Sequence, residues 1–422
     1  MNNNKFNLFN VFTQKIFICF FIMTPSIIFF SKFLSDFFLS LIAFYTLAYL
    51  IKSKNSEYLK TLVFFFVFVF YISLNLVINN FNQILFLKSI ALIRFPLFIL
   101  FPLCVNFDKK LLDQNFKILF LCPVIIFTFN LYFQAIFNYD IFGNELINDY
   151  ARVTSFFGNE FIAGSYLFFI FTILLAVFKT FTPIKLLLLS LIYFGIFLSG
   201  DRTPFIVINL FLFICFILNF KDFMKSKQIK ILLLFVSVIL STFTILHYTK
   251  AVNLSSIYKY ENTFKDIVND IKKEKNDEGL KRWPYYGMMF KSYVILKNNF
   301  LFGTTYKSYR NECSNLKYKK EYLKITNNHG YDGCSTHPHN VYLEILSEQG
   351  VIGFILLLLL IYNLSNLNKF IFTNLKKNYF LIFIFCYFFP LKPHGSLYTN
   401  FNLIMLASTL GFYLIFNKKT KE

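Results

Sequence analysis

The chain has 422 residues, of which 56% are hydrophobic and 15% charged, with 63 phenylalanines and a formal net charge of +20. A mean hydropathy of +0.56 excludes an ordinary soluble domain. The basic excess does not indicate nucleic-acid binding, because that needs a wetted basic face and most lysines here stand in short segments between apolar runs.

In chain order, apolar runs of spanning length occur at 14–31, 33–51, 61–78, 84–105, 118–137, 160–178, 184–199, 204–220, 231–248, 349–363, 379–391 and 401–416. The expected fold is an all-α, polytopic transmembrane helical bundle of about twelve spans with one large extracytoplasmic loop. No small-residue cleavage site follows the first run, which leads into a second, so it is read as a retained helix.

Lysines set the orientation. Lys5 and Lys15 precede the first run, Lys52, Lys54 and Lys60 follow the second, and Lys109, Lys110 and Lys117 follow the fourth. Lys179 and Lys185, then Lys221, Lys225, Lys227 and Lys230, then Lys369, Lys376 and Lys377, and finally Lys418, Lys419 and Lys421 keep the same parity. The alternate connections hold only Lys32 and Lys392 outside the long loop, and long segments translocate regardless of charge. Both termini are therefore expected in the cytoplasm.

The opposite side then receives residues 139–159, the turn Gly200-Asp201-Arg202-Thr203 and the loop 249–336. That loop alone has soluble-like composition and carries the sole tryptophan, Trp283. It is expected to fold as a small helical cap, with the highly charged stretch 262–280 solvated. Cys313 and Cys334 share the loop, where an oxidising compartment permits a disulfide; their proximity is not readable from sequence, and both states stay open. The other five cysteines lie in apolar runs, where cysteine serves as a small buried hydrophobe. No metal-ligand spacing, phosphate-binding glycine loop or nucleophile elbow is present, and neither metal nor cofactor is expected.

The end of the long loop is the most informative stretch. Thr336-His337-Pro338-His339-Asn340 precedes a helix that runs through Gly350-Val351-Ile352-Gly353 into the tenth run. Asn340 can cap that helix, and an imidazole fixed at its head suits a general base. A lone interfacial histidine serves more often as a tolerated surface residue. Glu344 and Glu348 are one turn apart and share a face; they either orient the imidazole or line an acceptor site, or are ordinary polar residues at a helix start. Arg94 lies about 15 Å inside its run at helical rise, so it faces a polar cavity or pairs with a carboxylate. Lys88, near the outer end, can snorkel.

His339-Asn340, nine residues, Gly350, two residues and Gly353 together resemble the signature of the O-antigen ligase family, whose relatives include the O-antigen polymerases. Lys281-Arg282-Trp283, Met288-Met289 and Asn299-Phe300-Leu301-Phe302-Gly303 are similar to family segments upstream, with Phe300 where proline is common. Ser199-Gly200-Asp201-Arg202-Thr203 resembles the family's Ser-Gly-x-Arg turn. Residues 152–167 resemble another family segment, departing from it at Ser155 and at Asn159-Glu160. The likeness covers roughly residues 150–355, between N-terminal transmembrane helices at 1–150 and C-terminal ones at 356–422.

This resemblance implies a GT-C-like, metal-independent glycosyltransferase of the bacterial inner membrane. Its donor would be a glycan on undecaprenyl diphosphate, and its acceptor lipid A-core or, in a polymerase, the growing glycan. The implied partners are those substrates and membrane lipids, with no nucleic acid. The resemblance assigns the diphosphate to Arg202 and Arg282, with Arg152 a third candidate, because a guanidinium fork grips phosphate with paired hydrogen bonds; Arg94, by its depth in an apolar run, could also reach the diphosphate or pair with a carboxylate. His339 would be catalytic, supported by Asn340, Glu344 and Trp283. A transporter or flippase is the non-enzyme alternative, disfavoured because no internal repeat is evident and polar residues gather at one face instead of the midplane. The topology is checked by reporter fusions: an extracytoplasmic signal is expected at residue 300, and a cytoplasmic one overturns the orientation.

Overall fold

A computed structural model describes residues 11–53, 56–79, 81–105, 114–146, 152–178, 182–218, 284–325, 334–366, 379–390, 392–393 and 395–417. The ninth apolar run, the charged stretch 262–280, Arg282 and Trp283 lie outside these residues.

The described elements are helical, with one isolated bridge between Tyr139 and Glu145. In order they are α1 (Val11–Ser26), α2 (Lys32–Ser53), α3 (Ser56–Asn79), α4 (Gln83–Ile90), α5 (Arg94–Cys104) and α6 (Cys122–Phe137). Next come α7 (Ala163–Val177), α8 (Pro183–Leu198), α9 (Arg202–Leu218), α10 (Pro284–Asn298), α11 (Tyr309–Glu312) and α12 (Leu316–Ile325). The chain closes with α13 (Val341–Asn366), α14 (Tyr379–Tyr387) and α15 (Asn400–Asn417).

Among the described residues, five segments are long and apolar enough to cross a membrane: Lys32–Ser53, Leu62–Asn79, Gln83–Cys104, Phe116–Phe137 and Val341–Asn363. Four shorter apolar helices, Ala163–Val177, Pro183–Leu198, Arg202–Leu218 and Asn400–Ile415, coincide with other expected runs. The eleventh run forms only the nine-residue α14, because Pro390 cannot donate the backbone bond that would extend it. The tenth begins earlier than its hydropathy suggests, since the helix headed by Val341 is continuous with it across a break at Gly350.

Packing is aromatic and close. Phe21 of α1 lies with its ring centroid 4.8 Å from Phe98, 5.5 Å from Phe101 and 5.0 Å from Phe412, joining α1, α5 and α15. Phe127 packs edge-on to Tyr166 at 4.6 Å, joining α6 to α7. Within lipid there is little hydrophobic gain from bringing helices together, so such fitted contacts and interhelical hydrogen bonds supply the cohesion.

At Gly350 the backbone leaves the helix (φ 66°, ψ −173°), and the turn after α10 fills the gap. The carbonyl oxygens of Phe300 and Leu301 accept from the amides of Val351 (3.0 Å) and Ile352 (3.2 Å), so the segment beyond the break is capped by backbone from another loop. Gly303 (φ 69°) closes the contact from the other side, where a Cβ would stand 2.4 Å from the Glu348 carbonyl carbon. At Gly350 a Cβ would stand 2.2 Å from the Leu301 oxygen. Asn75 and Tyr71 of α3 fasten the same junction, donating to Phe302 O and Gln349 O, each at 2.7 Å.

Gly350→Ala is expected to lower Tm far more than Gly143→Ala, measured in one detergent. Both sites have positive φ and share the left-handed cost of about 1–2 kcal/mol. Gly143 has nothing within 4 Å, whereas Gly350 meets a backbone oxygen. Equal losses would show that the junction gives way freely.

Candidate functional site

The first part of α13, residues 341–349, holds a loop on either side. Asn340 caps the helix, its Oδ1 accepting from the amides of Tyr342 and Leu343, both at 3.1 Å, while its Nδ2 donates to Pro390 O at 2.7 Å. The Tyr342 hydroxyl donates to Phe388 O. One turn on, the Glu344 carboxylate accepts from the amide of Leu397 (2.9 Å) and from the Ser396 hydroxyl. The connection from α14 to α15 is thus pinned at three points by one helix.

The opposite side holds the turn after α10. Thr304 N donates to Ser347 O (3.0 Å) and Thr305 N to Glu348 O (2.8 Å). The Glu348 carboxylate accepts from the amides of Lys307 (2.8 Å) and Tyr309 (3.1 Å). Glu344 and Glu348 are each only 2% exposed. A buried carboxylate is tolerated only when its oxygens are hydrogen-bonded, and these amides provide that. Both acids therefore position the loops around the head of α13.

Lys307, held at φ 57°, sits with its ammonium 5.4 Å from the Tyr306 ring centroid. Burial first, then the charge of Lys88, hold this ammonium below the usual lysine range; Arg310 adds to the effect, while Glu348 and Glu344 oppose it. Lys88 and Arg310 thus both bear on Lys307, against the pull of the two buried acids.

His339 is half-buried with φ 54°, and its ring centroid lies 4.1 Å from that of His337. His337 Nδ1 in turn shares a hydrogen bond of 2.9 Å with Thr336 Oγ1. The short segment carrying both histidines is restrained at each end. Asn340 anchors it to α13. A disulfide joins Cys334 to Cys313, with Cα atoms 5.1 Å apart, at the end of α11, whose first amide rests on Glu348.

A second polar group lies at the starts of α7 and α9. Asp201 accepts from Gly164 N at 3.0 Å, in the first turn of α7, where the helix dipole favours an anion. Arg152 meets the same carboxylate at 3.5 Å and covers the Phe161 ring at 4.9 Å. Arg202, the first residue of α9, is exposed. Phe157 against Phe401 (5.9 Å) links this group to the start of α15, near the loop that Glu344 holds.

The structure thus sets Asn340 and Glu344, which follow His339, on the connection from α14 to α15, and pairs Arg152 with Asp201, the chain neighbour of Arg202. Arg94 is engaged elsewhere: its Nη2 and Nη1 meet the two Asp36 oxygens at 2.9 Å each, and Nη1 reaches Ser40 at 3.3 Å. The sequence reading missed Lys307, Asp201 and the pinning roles of Glu344 and Glu348. A polar residue inside an apolar run was the available signal for Asn75, and a lone lysine in an otherwise lysine-free connection for Lys392.

Residues 186–358, from early in α8 to beyond the break in α13, match the family model described as O-antigen ligase. This match supports placing the chain in the O-antigen ligase and polymerase superfamily, and with the apolar helices it supports a multi-pass membrane protein of ligase- or polymerase-like function. No curated protein matches the chain.

Proposed function

We propose that this chain is an O-antigen ligase-like glycosyltransferase of the bacterial inner membrane, moving a polysaccharide from undecaprenyl diphosphate to a hydroxyl of lipid A-core on the periplasmic face. The observation that carries the reading is the match at residues 186–358, which takes in the Ser199–Thr203 turn and the capped helix that His339 heads. A polymerase would use the same donor half with a glycan acceptor.

The reaction needs little beyond positioning, because a polyprenyl diphosphate is already an activated leaving group. The acceptor oxygen attacks the anomeric carbon, the bond from that carbon to the phosphate oxygen breaks, and the lipid diphosphate leaves with the bonding pair. His339, neutral and held between Cys334 and Asn340, takes the hydroxyl proton as the new bond forms. Arg202 and Arg282 receive the growing charge on the diphosphate through bidentate hydrogen bonds. Arg152 serves through Asp201, fixing the turn from which Arg202 projects. Arg94, with its fork on Asp36, is assigned to holding α5 against α2. In this reading no metal ion takes part.

His339→Ala is expected to lower turnover about 10² to 10⁴-fold, the usual worth of a positioned base, while donor binding persists. His337→Ala should cost much less. Arg202→Lys and Arg282→Lys should each reduce donor binding and transfer at unchanged expression, since lysine keeps the charge but loses the fork. The check is a purified transfer assay paired with donor-binding measurements. Wild-type turnover in His339→Ala would refute the base assignment, and full activity in both lysine variants would leave the arginines as headgroup anchors.

A further inference from the structure

The helices α10, α11 and α12 share a small core in which Val294, Ile295, Tyr309 and Tyr318 bury Cys313 at the end of α11. Cys334 packs against the same core from the far side of the sequence gap, at the start of the segment that bears the histidines. The disulfide therefore ties one end of that segment to α11, while Asn340 ties the other end to α13. The turn after α10 and α13 are joined by other means. Phe300 and Leu301 accept from Val351 and Ile352, and the amides of Lys307 and Tyr309 rest on Glu348. The head of α13 is pinned to the connection from α14 to α15 through Asn340 and Glu344. None of these bonds passes through a cysteine. The bridge acts on a different stretch, the five residues between Cys334 and Asn340.

Within that stretch His339 is held at φ 54°, a left-handed backbone that residues with a side chain rarely adopt. Such a conformation persists only where its surroundings over-determine it. Pro338, buried and fixed in its own φ, stands directly before it. One end locked covalently and the other capped on a helix supply that over-determination. Freeing the end at Cys334 lets the His339 backbone relax toward an ordinary region and swings its ring.

We propose that the Cys313–Cys334 disulfide positions His339, so that the transferase reaches full turnover only after these two thiols have been oxidised. This rests on the function proposed above and adds a redox requirement to it. In the forming step one thiolate attacks a disulfide-bearing oxidant, giving a mixed disulfide, and the second thiolate then displaces the oxidant's sulfur. One S–S bond forms in the protein and one breaks in the oxidant, which carries off two electrons and two protons as a dithiol. Half-buried Cys334 is the sulfur open to exchange, and buried Cys313 is the one released on reduction. The other five cysteines sit in the apolar helices α1, α5, α6, α9 and α14, and among the described residues this is the one disulfide, so a polar reductant reports on this pair.

The test uses the purified full chain in three states: as isolated, reduced with dithiothreitol, and reoxidised. Cys313→Ser and Cys334→Ser are measured beside it, and the reduction is repeated in His339→Ala. Reduction is expected to lower turnover about ten- to a hundredfold, the effect of misplacing a catalytic group by about an ångström. Undecaprenyl diphosphate binding should stay unchanged, and reoxidation should restore turnover. Both serine variants should match the reduced chain and ignore the reductant; if they do not fold, reduction and reoxidation of the unaltered chain decide. In His339→Ala reduction should cost nothing more, because the bridge acts through the imidazole. Undiminished turnover on reduction overturns the proposal, as does thiol labelling that finds both cysteines reduced in the active chain. An equal further loss in His339→Ala, or loss of donor binding along with turnover, also overturns it, since the bridge would then support the fold at large. These outcomes leave the transferase reading standing, whereas a wild-type chain without transfer in either redox state removes that reading and the proposal with it.

Discussion

Two carboxylates buried on one helix face hold one end of this bundle together. Glu344 and Glu348 lie one turn apart on α13, each at 2% exposure, and among the described residues neither has a basic side chain in hydrogen-bond contact. Their oxygens are satisfied by backbone amides of two loops that are nearly a hundred residues apart in sequence. Losing either loop would strand a buried carboxylate, at a cost of roughly 1–3 kcal/mol or more, so the loops and the helix stand or fall as a unit. His339 at the helix head, Lys307 on one loop and Lys392 on the other inherit their positions from that arrangement.

The break at Gly350 lets one helix serve two surroundings. Beyond it α13 packs along α3 inside the apolar bundle, while before it the helix is lined with Asn340, Glu344, Ser347 and Glu348, which hold loops. Phe300 and Leu301 supply the carbonyls that the interrupted helix lacks, and Gly303 and Gly350 are the two places where the backbones come too close for any side chain. The spacing that gave the resemblance, Gly350 and Gly353 after His339-Asn340, and the Leu301-Phe302-Gly303 segment are therefore two halves of one contact. Their physical job is to fix the turn after α10 against the break in α13.

Much of the helical architecture was legible in sequence because lipid leaves the backbone few choices: an apolar run must satisfy its own hydrogen bonds, so hydropathy alone located α2, α3, α6 and the apolar part of α13. Asn340 was readable as a cap because its amide side chain, placed just before a helix, can accept from the first free amides. Pairings between elements were not readable. Arg94 has its partner on a different helix, at Asp36, and nothing in the local pattern distinguishes that from a cavity-facing arginine. The helix from Val341 was readable behind that cap, but the burial of its acids was not, because Glu344 and Glu348 look like solvated residues until the loops are in place.

The account treats the protein as a catalyst of bond exchange, with the polyprenyl diphosphate as leaving group and a hydroxyl as the attacking group. The most direct measurement is a single-turnover reaction in proteoliposomes containing purified protein, a polyprenyl diphosphate-linked glycan and a lipid acceptor, following released polyprenyl diphosphate and glycosylated acceptor together. The account expects one of each to appear per donor consumed. Donor that changes leaflet with its anomeric bond to phosphate intact, and no glycosylated acceptor, would contradict it and mark the chain as a transporter.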